Sequence, residues 1–547
     1  MPLLVSAAHR WARTRLGKVG PQNIATAVLA VCLVVFAVKA VSSLRGESAT
    51  WDETHYFGVG KRLLETGRWD FPGSILHPPL SYYLASLPLL SEPSDPDLWQ
   101  PDPARAGESS YRGAADVARG QTLLSSPTNQ GDRLLIRSRL MMVALGLLLG
   151  IFVFRWALEL HGPWGGMLAI VLYAFCPNLL AHTRLITPDI ALTTFAFLAM
   201  YFLWRTLDTG QRRQALLCGV TLGLALLSKY TALVFVPVGL LLALLARPWS
   251  KRLVGNLLLA SCVGLAVLAA GYRFNLEPLW AGIAHQRTQA DGTMNAFLAG
   301  EHSRTGWWYH QLVAFLLKTP IAMLILLGAS LVLAMRNLRA PNRCADRMRD
   351  LFLLLPAVTV VVFFSINRSS IGLRYILPAY PFLFVWVARV VPALATSRIR
   401  IAVLALLVGW HVAASTFIHP HYLAYFNEIA GGPANGHRYL VDSNLDWGQD
   451  LKGLASFMHE AGIPRISLSY FGSDEPSRYG IQYAPLPSFV LQGSPPEEWP
   501  LRLGRYVAIS ATNLEGVHFA NKDLFAPLRQ RKPMAKIGYS IFVYDLR

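Results

Sequence analysis

Apolar runs of about 17 to 25 residues recur along this chain, the length an α-helix needs to cross the hydrocarbon core of a bilayer. Inside lipid every backbone N–H and C=O must bond within the protein, so runs of this kind resolve into helices. They fall at roughly 24–43, 136–154, 166–183, 188–204, 214–228, 231–246, 253–271, 309–335, 351–366, 375–394 and 399–418, with the pair around Lys229 also readable as one kinked hairpin. The expected fold class is a polytopic α-helical membrane protein of about 11 transmembrane helices. Composition agrees: the 547 residues are 53% hydrophobic and only 15% charged, where a soluble chain of this length carries more charge.

The formal net charge of +18 raises the question of a nucleic-acid partner, but the basic residues sit in short clusters between apolar runs. Lys and Arg cluster at the N-terminus (Arg10, Arg13, Arg15, Lys18), in Arg205–Arg213, Arg247–Arg252, Arg336–Arg349 and Arg389–Arg400. These five segments share one side of the membrane, the cytoplasm. We therefore expect no nucleic-acid partner. Cys32, Cys176, Cys218 and Cys262 lie within apolar runs and Cys344 in a basic loop, so neither a disulfide framework nor a zinc spacing is present. The first run is too long for a signal-peptide core and reads as a retained span.

This topology divides the chain into a cytoplasmic segment 1–23, a membrane domain 24–418 and an extracytoplasmic C-terminal domain 419–547. Outer loops fall at 44–135 and 272–308, with a short one around Arg368–Arg374. Residues 91–132, rich in Pro, Ser, Asp and Gly, read as an extended loop. In the tail, LDWGQDLKGLASFMHEAGIP has helical spacing with Asn444 or Asp446 available as cap. RISLSYF, YVAISA and SIFVYDL read as strands, which predicts a small α/β domain.

The stretch WDETHYFGVGKRLLETGRWDFPGSILHPPL, residues 51–80, places two adjacent carboxylates, Asp52 and Glu53, just past the first span. Such a pair either anchors a loop at the interface or supplies a general base where the bilayer delivers a lipid substrate. Further ionisable or polar groups collect at outer span ends: Arg184 and Asp189 in AHTRLITPDIAL, Lys229 in LLSKYTAL, Lys318 in FLLKTPIAM, and Arg374 with Tyr375 in IGLRYILPAYP. Each has a plainer reading. Asp189 after Pro188 suits a helix start, and Lys229 and Lys318 suit snorkelling to lipid phosphates. Their convergence on one face, however, suits a substrate built from a lipid, a phosphate and a sugar, with cations stabilising a leaving phosphate. Asp442, Asn444 and Asp446 alternate as at the start of a calcium loop, but the glycine is one place late and Gly453 stands where the closing Glu belongs. Asn367-Arg368-Ser369 fits a glycosylation acceptor, a pattern too short to carry weight.

The 51–80 stretch resembles the first outer loop of the dolichyl-phosphate-mannose–protein mannosyltransferase family, which has an Asp-Glu pair after its first span and then a His-Pro-Pro-Leu element. PNLLAHTRLITPDIALTTFAF, GWWYHQLVAFLLKTPIAM, GLRYILPAYP and YFNEIAGGPANGHRYLVDSNLDWGQDL are similar to bacterial polyprenyl-phosphate-dependent glycosyltransferases, among them the lipid A aminoarabinose transferases. The resemblance implies a C-type glycosyltransferase fold with its site on the extracytoplasmic face, in a bacterial-type inner or plasma membrane. It implies Asp52 as catalytic base and Glu53 as the neighbour orienting it or the acceptor. It also implies Asp189 positioning donor or acceptor, Arg374 holding the donor phosphate, and Lys318 and Lys229 as further cations. His77 would shape the loop or acceptor site, although His-Pro-Pro is also a stiff turn. The eukaryotic members carry an inserted outer β-trefoil domain for which this sequence has no segment.

The expected function is transfer of a sugar, mannose or another hexose or pentose, from a polyprenyl-phosphate donor to a protein, lipid or glycan acceptor. One direct displacement inverts the anomeric centre and needs one base. Phosphate is already a good leaving group, so neither metal nor cofactor is called for. The alternative from another class is a secondary transporter or lipid-linked-sugar flippase. It predicts a charged path through the membrane and paired broken helices.

Overall fold

The structure is a computed structural model and describes residues 20–69, 71–92, 114–125, 130–246, 249–290, 295–338, 344–368, 370–394, 397–489, 491, 494–497 and 501–547. The basic residues Arg10, Arg13, Arg15, Lys18 and Arg247, most of the loop expected at 91–132, and Ser369 of the glycosylation pattern lie outside these.

In chain order the apolar part is built from α1 (Pro21–Leu44), α2 (Trp51–Thr66), α3 (Ala114–Ser125), α4 (Gly131–Ala174), α5 (Pro188–Thr209), α6 (Arg212–Leu226), α7 (Phe235–Leu245), α8 (Lys251–Gly271), α9 (His310–Lys318), α10 (Ile321–Leu338), α11 (Cys344–Ile366), α12 (Ala379–Val387) and α13 (Arg398–Phe417). Among the described residues six helices, α1, α4, α5, α8, α11 and α13, are long and apolar enough to cross a membrane, and the pair α9–α10, bent by 113°, makes a seventh if taken as one span. The chain is a multi-pass helical membrane protein. The remaining expected spans are shorter or broken for identifiable reasons. Gly162, with φ 75° and ψ −175°, breaks α4 just before Pro163. The run expected at 166–183 ends at Ala174, because Pro177 cannot donate the next helical bond and instead opens a separate short helix, Pro177–Thr183. Lys229 is extended, φ −157° and ψ 142°, and divides α6 from the turn leading into α7.

α1 packs on α4, and α6 lies between α5 and α8. The α6–α8 approach depends on glycine: a Cβ on Gly223 would lie 2.7 Å from the Gly264 carbonyl oxygen. The segment expected as loop 44–135 is substantially helical, with α2 and α3 packed together. A capping box starts α2, the Thr50 N–H donating to Glu53 Oε2 at 2.8 Å, and Gly67 at φ 65° ends it.

The tail forms a five-stranded mixed sheet from β3 (Ile466–Ser469), β4 (Tyr483–Pro485), β5 (Tyr506–Ser510), β6 (Ala535–Ile537) and β7 (Ile541–Asp545), following a small hairpin, β1 (Ala296–Leu298) with β2 (Glu301–Ser303). The order is β4-β3-β5-β7-β6, with β3 parallel to β4 and β5, and β7 antiparallel to β5 and β6. Helix α14 (Leu451–Glu460) lays Leu451, Leu454 and Met458 against Ile466, Leu468 and Val543 of the sheet. It starts later than either expected cap, because the residues before it are bonded elsewhere: Asn444 to Ile371 and Leu373, Asp446 to Thr512.

Candidate active site

Four charged side chains from four distant segments meet in alternating sign. Asp52, in the first turn of α2, has Oδ2 at 2.7 Å from Nη1 of Arg374, which sits on the short turn Leu373–Ile376. The same Nη1 is 3.8 Å from Oδ2 of Asp189, and Asp189 Oδ1 accepts a 2.7 Å hydrogen bond from Lys229 Nζ. Asp189 opens α5 after Pro188, so the helix-start reading holds along with its place in the cluster. Lys229 and Asp189 form the buried end of this chain of charges, at 9% and 1% exposure, and Arg374 and Asp52 the more open end, at 13% and 21%. Asp52 is thus the member most open to a substrate.

Aromatic faces hold the cations. The Arg374 guanidinium lies 4.2 Å from the Trp447 ring centroid and 5.6 Å from that of Tyr375, and Lys229 Nζ is 4.8 Å from Tyr375. His77 stacks on Tyr56 at 5.8 Å. Burial, followed by the charge of Lys229, holds its imidazole well below the usual histidine range, so it enters the site as a neutral ring. Tyr375 also borders a small apolar cavity lined by Leu192, Phe235, Val360, Phe364 and Pro378.

Three expected members are directed elsewhere. Glu53 follows Asp52, but successive helical side chains point about 100° apart. Its carboxylate is fully buried, bonded to Arg139 Nη2 at 2.6 Å and Nε at 2.8 Å, and accepts from the Ile186 N–H at 3.0 Å. Burial pushes this carboxyl up, yet the Arg139 charge and these hydrogen bonds outweigh it and hold it below the ordinary range. The Glu53 carboxylate is thus taken up by Arg139 and by the Thr50 and Ile186 N–H groups. Arg184 forms an ion pair with Glu47 and lies over Tyr422, 5.7 Å from the ring. Lys318 is buried and its Nζ donates to the carbonyls of Leu423, Tyr425 and Asn444, the first two at 2.9 and 3.0 Å. It ties α9 to the tail and has no donor left over for a phosphate.

Asp442, Asn444 and Asp446 do not converge as in a calcium loop. Asp442 faces His518 at 3.6 Å, while Asn444 and Asp446 serve the partners already named. Among the described residues no group of three or more His, Cys, Asp or Glu side chains is arranged to hold a metal ion. Sequence reasoning missed Trp447, whose signal was its place between acidic residues in LDWGQD, and Arg139, a basic residue just inside the start of the run expected at 136–154.

Residues 133–271 match the family model described as dolichyl-phosphate-mannose-protein mannosyltransferase, and over that segment the chain resembles this family. The matched segment includes Arg139, Asp189 and Lys229 but neither Asp52 nor Arg374. No curated protein matches the sequence. Among solved structures, ArnT from Cupriavidus metallidurans bound to undecaprenyl phosphate is similar at 15% identity with a TM-score of 0.48, over 95% of this chain and 97% of that one. Its apo state gives 15% identity and 0.45, over 98% of each chain. The S. cerevisiae protein O-mannosyltransferase Pmt1-Pmt2 complex bound to the sugar donor gives 18% identity and 0.34, over 55% of this chain and 42% of that one. Scores of this size establish no common fold by themselves.

Proposed function

We propose that this protein is a membrane glycosyltransferase of the C-type fold. It moves a sugar from a polyprenyl-phosphate donor to a protein, lipid or glycan acceptor on the extracytoplasmic side of a bacterial-type plasma membrane. The observation that carries this reading is the meeting of Asp52 and Arg374 beside Asp189 and Lys229. The phosphate of the donor suits the two cations. When the phosphate arrives it competes with Asp52 for Arg374, and the carboxylate becomes free to accept a proton. The acceptor oxygen then bonds to the anomeric carbon while the bond from that carbon to the phosphate oxygen breaks. The acceptor proton goes to Asp52, and the phosphate leaves with its electron pair against Arg374 and Lys229. Asp189 holds Lys229 and Arg374 in place.

A transporter of the expected kind needs two facing broken spans. Among the described residues one pair, α9–α10, is bent in that way. The test uses purified protein in lipid with radiolabelled polyprenyl-phosphate sugars and a membrane extract as acceptor. Label should pass to the extract with wild type and not with folded Asp52→Asn. Equal transfer by both would remove Asp52 from the mechanism, and substrate flux into sealed vesicles without transfer would favour transport.

A further inference from the structure

The displacement at Asp52 leaves unused an aromatic wall that stands directly beside it. Trp51, the residue before Asp52, stacks on Phe471 with centroids 5.1 Å apart and planes 25° apart, and on Phe489 at 5.6 Å and 19°. His518 stacks on the same two rings, on Phe471 at 5.3 Å and 6° and on Phe489 at 4.4 Å and 21°. Four nearly parallel rings therefore form a closed set joining α2 to the tail. Trp51 and Phe471 are buried at 8% and 3% exposure, but Phe489 is 47% exposed. Phe489 is thus a half-exposed ring held against a buried stack.

Polar groups flank the wall. His518 Nε2 has no hydrogen-bond partner among the described residues, and Asp442 Oδ2 faces it at 3.6 Å. Asp442 is held at φ 55°, a left-handed conformation that costs a non-glycine residue energy. The turn that holds it is tied to the Arg374 turn, since Asn444 Oδ1 accepts from the Leu373 N–H at 2.9 Å and Asn444 Nδ2 donates to the Ile371 carbonyl at 2.8 Å. The wall is thus linked to the site through the chain, by Trp51 next to Asp52 and by Asn444 bonded to Ile371 and Leu373.

We infer that this wall is the acceptor subsite and that the acceptor is an uncharged saccharide, whose ring stacks on Phe489 while its hydroxyls bond Asp442. The inference rests on the reading of Asp52 and Arg374 as a transferase site and names the substrate class for it. A sugar ring turns C–H bonds of slight positive charge toward the negative face of an aromatic ring, and its hydroxyls match a carboxylate. A Ser or Thr side chain in a peptide has no such flat face. A phosphorylated acceptor would bring negative charge toward Asp442, and two like charges there repel. In the transfer, one saccharide hydroxyl oxygen bonds to the donor's anomeric carbon, its proton passes to Asp52, and the polyprenyl phosphate departs.

Two measurements on the full-length protein in nanodiscs test this. In saturation-transfer NMR with a neutral hexose oligosaccharide, ring C–H protons should gain signal with wild type, lose it with Phe489→Ala and regain it with Phe489→Trp. Because Phe489 is half exposed, both variants should fold. In the transfer assay, supplied with the oligosaccharide, a Ser/Thr-rich peptide or a phosphorylated glycolipid, the oligosaccharide should be labelled. Phe489→Ala should raise its KM about tenfold, the size of one aromatic contact. No saturation transfer to the oligosaccharide, or labelling of the peptide or the phosphorylated glycolipid in its place, overturns the inference while the transferase reading stands. Saccharide binding with no donor consumed in any arm, even to water, upholds the subsite and removes the transferase reading.

Discussion

Arg374 Nη1 stands 2.7 Å from Asp52 Oδ2 across 322 residues of chain, and the same nitrogen reaches toward Asp189. One guanidinium therefore answers to two carboxylates, only one of which opens to solvent. Asp189 Oδ1 is bonded to Lys229, while its buried Oδ2 has no hydrogen-bond partner among the described residues and faces Arg374 at 3.8 Å.

Asp52→Asn keeps the side chain's size and its place at the start of α2 but removes the proton acceptor. Transfer should fall by about 10²- to 10⁴-fold, the usual worth of a general base. The thermal transition of the purified protein should stay near wild type. A variant that keeps more than a tenth of the wild-type rate would count against Asp52 as base.

The Asp189–Lys229 pair is buried at 1% and 9% exposure, so removing one partner leaves the other charge uncompensated. Lys229→Met should cost about 3–5 kcal/mol of stability. The double variant Asp189→Asn with Lys229→Met should cost less than the sum of the two single changes. Thermal unfolding in detergent at fixed lipid content measures all three, and strict additivity would show that the pair is not coupled.

Glu53→Gln separates anchoring from chemistry at neighbouring positions. Gln keeps one acceptor oxygen, enough for either the Thr50 or the Ile186 N–H but not both, and leaves Arg139 a buried charge without its carboxylate partner. The expected outcome is a loss of about 3–5 kcal/mol in stability, with the specific activity of the folded fraction preserved. A folded, fully stable protein with no activity would return Glu53 to the catalytic group.

Two carboxyls of the tail make stability depend on pH. Burial pushes Asp446 up to about 8 and Asp450 up to about 7, against 3.8 for the free side chain. Both are protonated in the folded state where the unfolded chain has already lost the proton. Their contribution is therefore complete below about pH 4 and fades as pH rises to about 8. The tail should unfold more readily at pH 9 than at pH 6. Asp446→Asn, which imitates the protonated acid, should flatten part of that slope. Thermal scans across this range measure the effect, and an unchanged slope in Asp446→Asn would assign it to other groups.

Much of the fold follows from local pattern. Apolar runs of bilayer length leave the backbone no option but helix, and Thr50 with Glu53 marks the start of α2 by a capping box readable in four residues. The strands at 466–469, 506–510 and 541–545 each lie within a segment whose residue types favour an extended chain. The ends of the helices were less legible. Whether 166–183 is one helix or two depends on Pro177, and the late start of α14 depends on bonds that Asn444 and Asp446 make to residues far away in sequence.

For the site, the sequence determined which residues carry charge at the ends of apolar runs, because a charge there is expensive enough to be visible against its surroundings. Only the tertiary structure decided what each charge does. Asp52 and Glu53 are adjacent and chemically alike, yet helix geometry turns one toward Arg374 and the other into a sealed pocket with Arg139. Arg184 and Lys318 looked equivalent to Lys229, until Glu47 claimed the first and three backbone carbonyls the second. The physical reason is that pairing depends on distance in space and on the direction a side chain leaves the backbone. Neither is fixed by local sequence when the partners lie hundreds of residues apart.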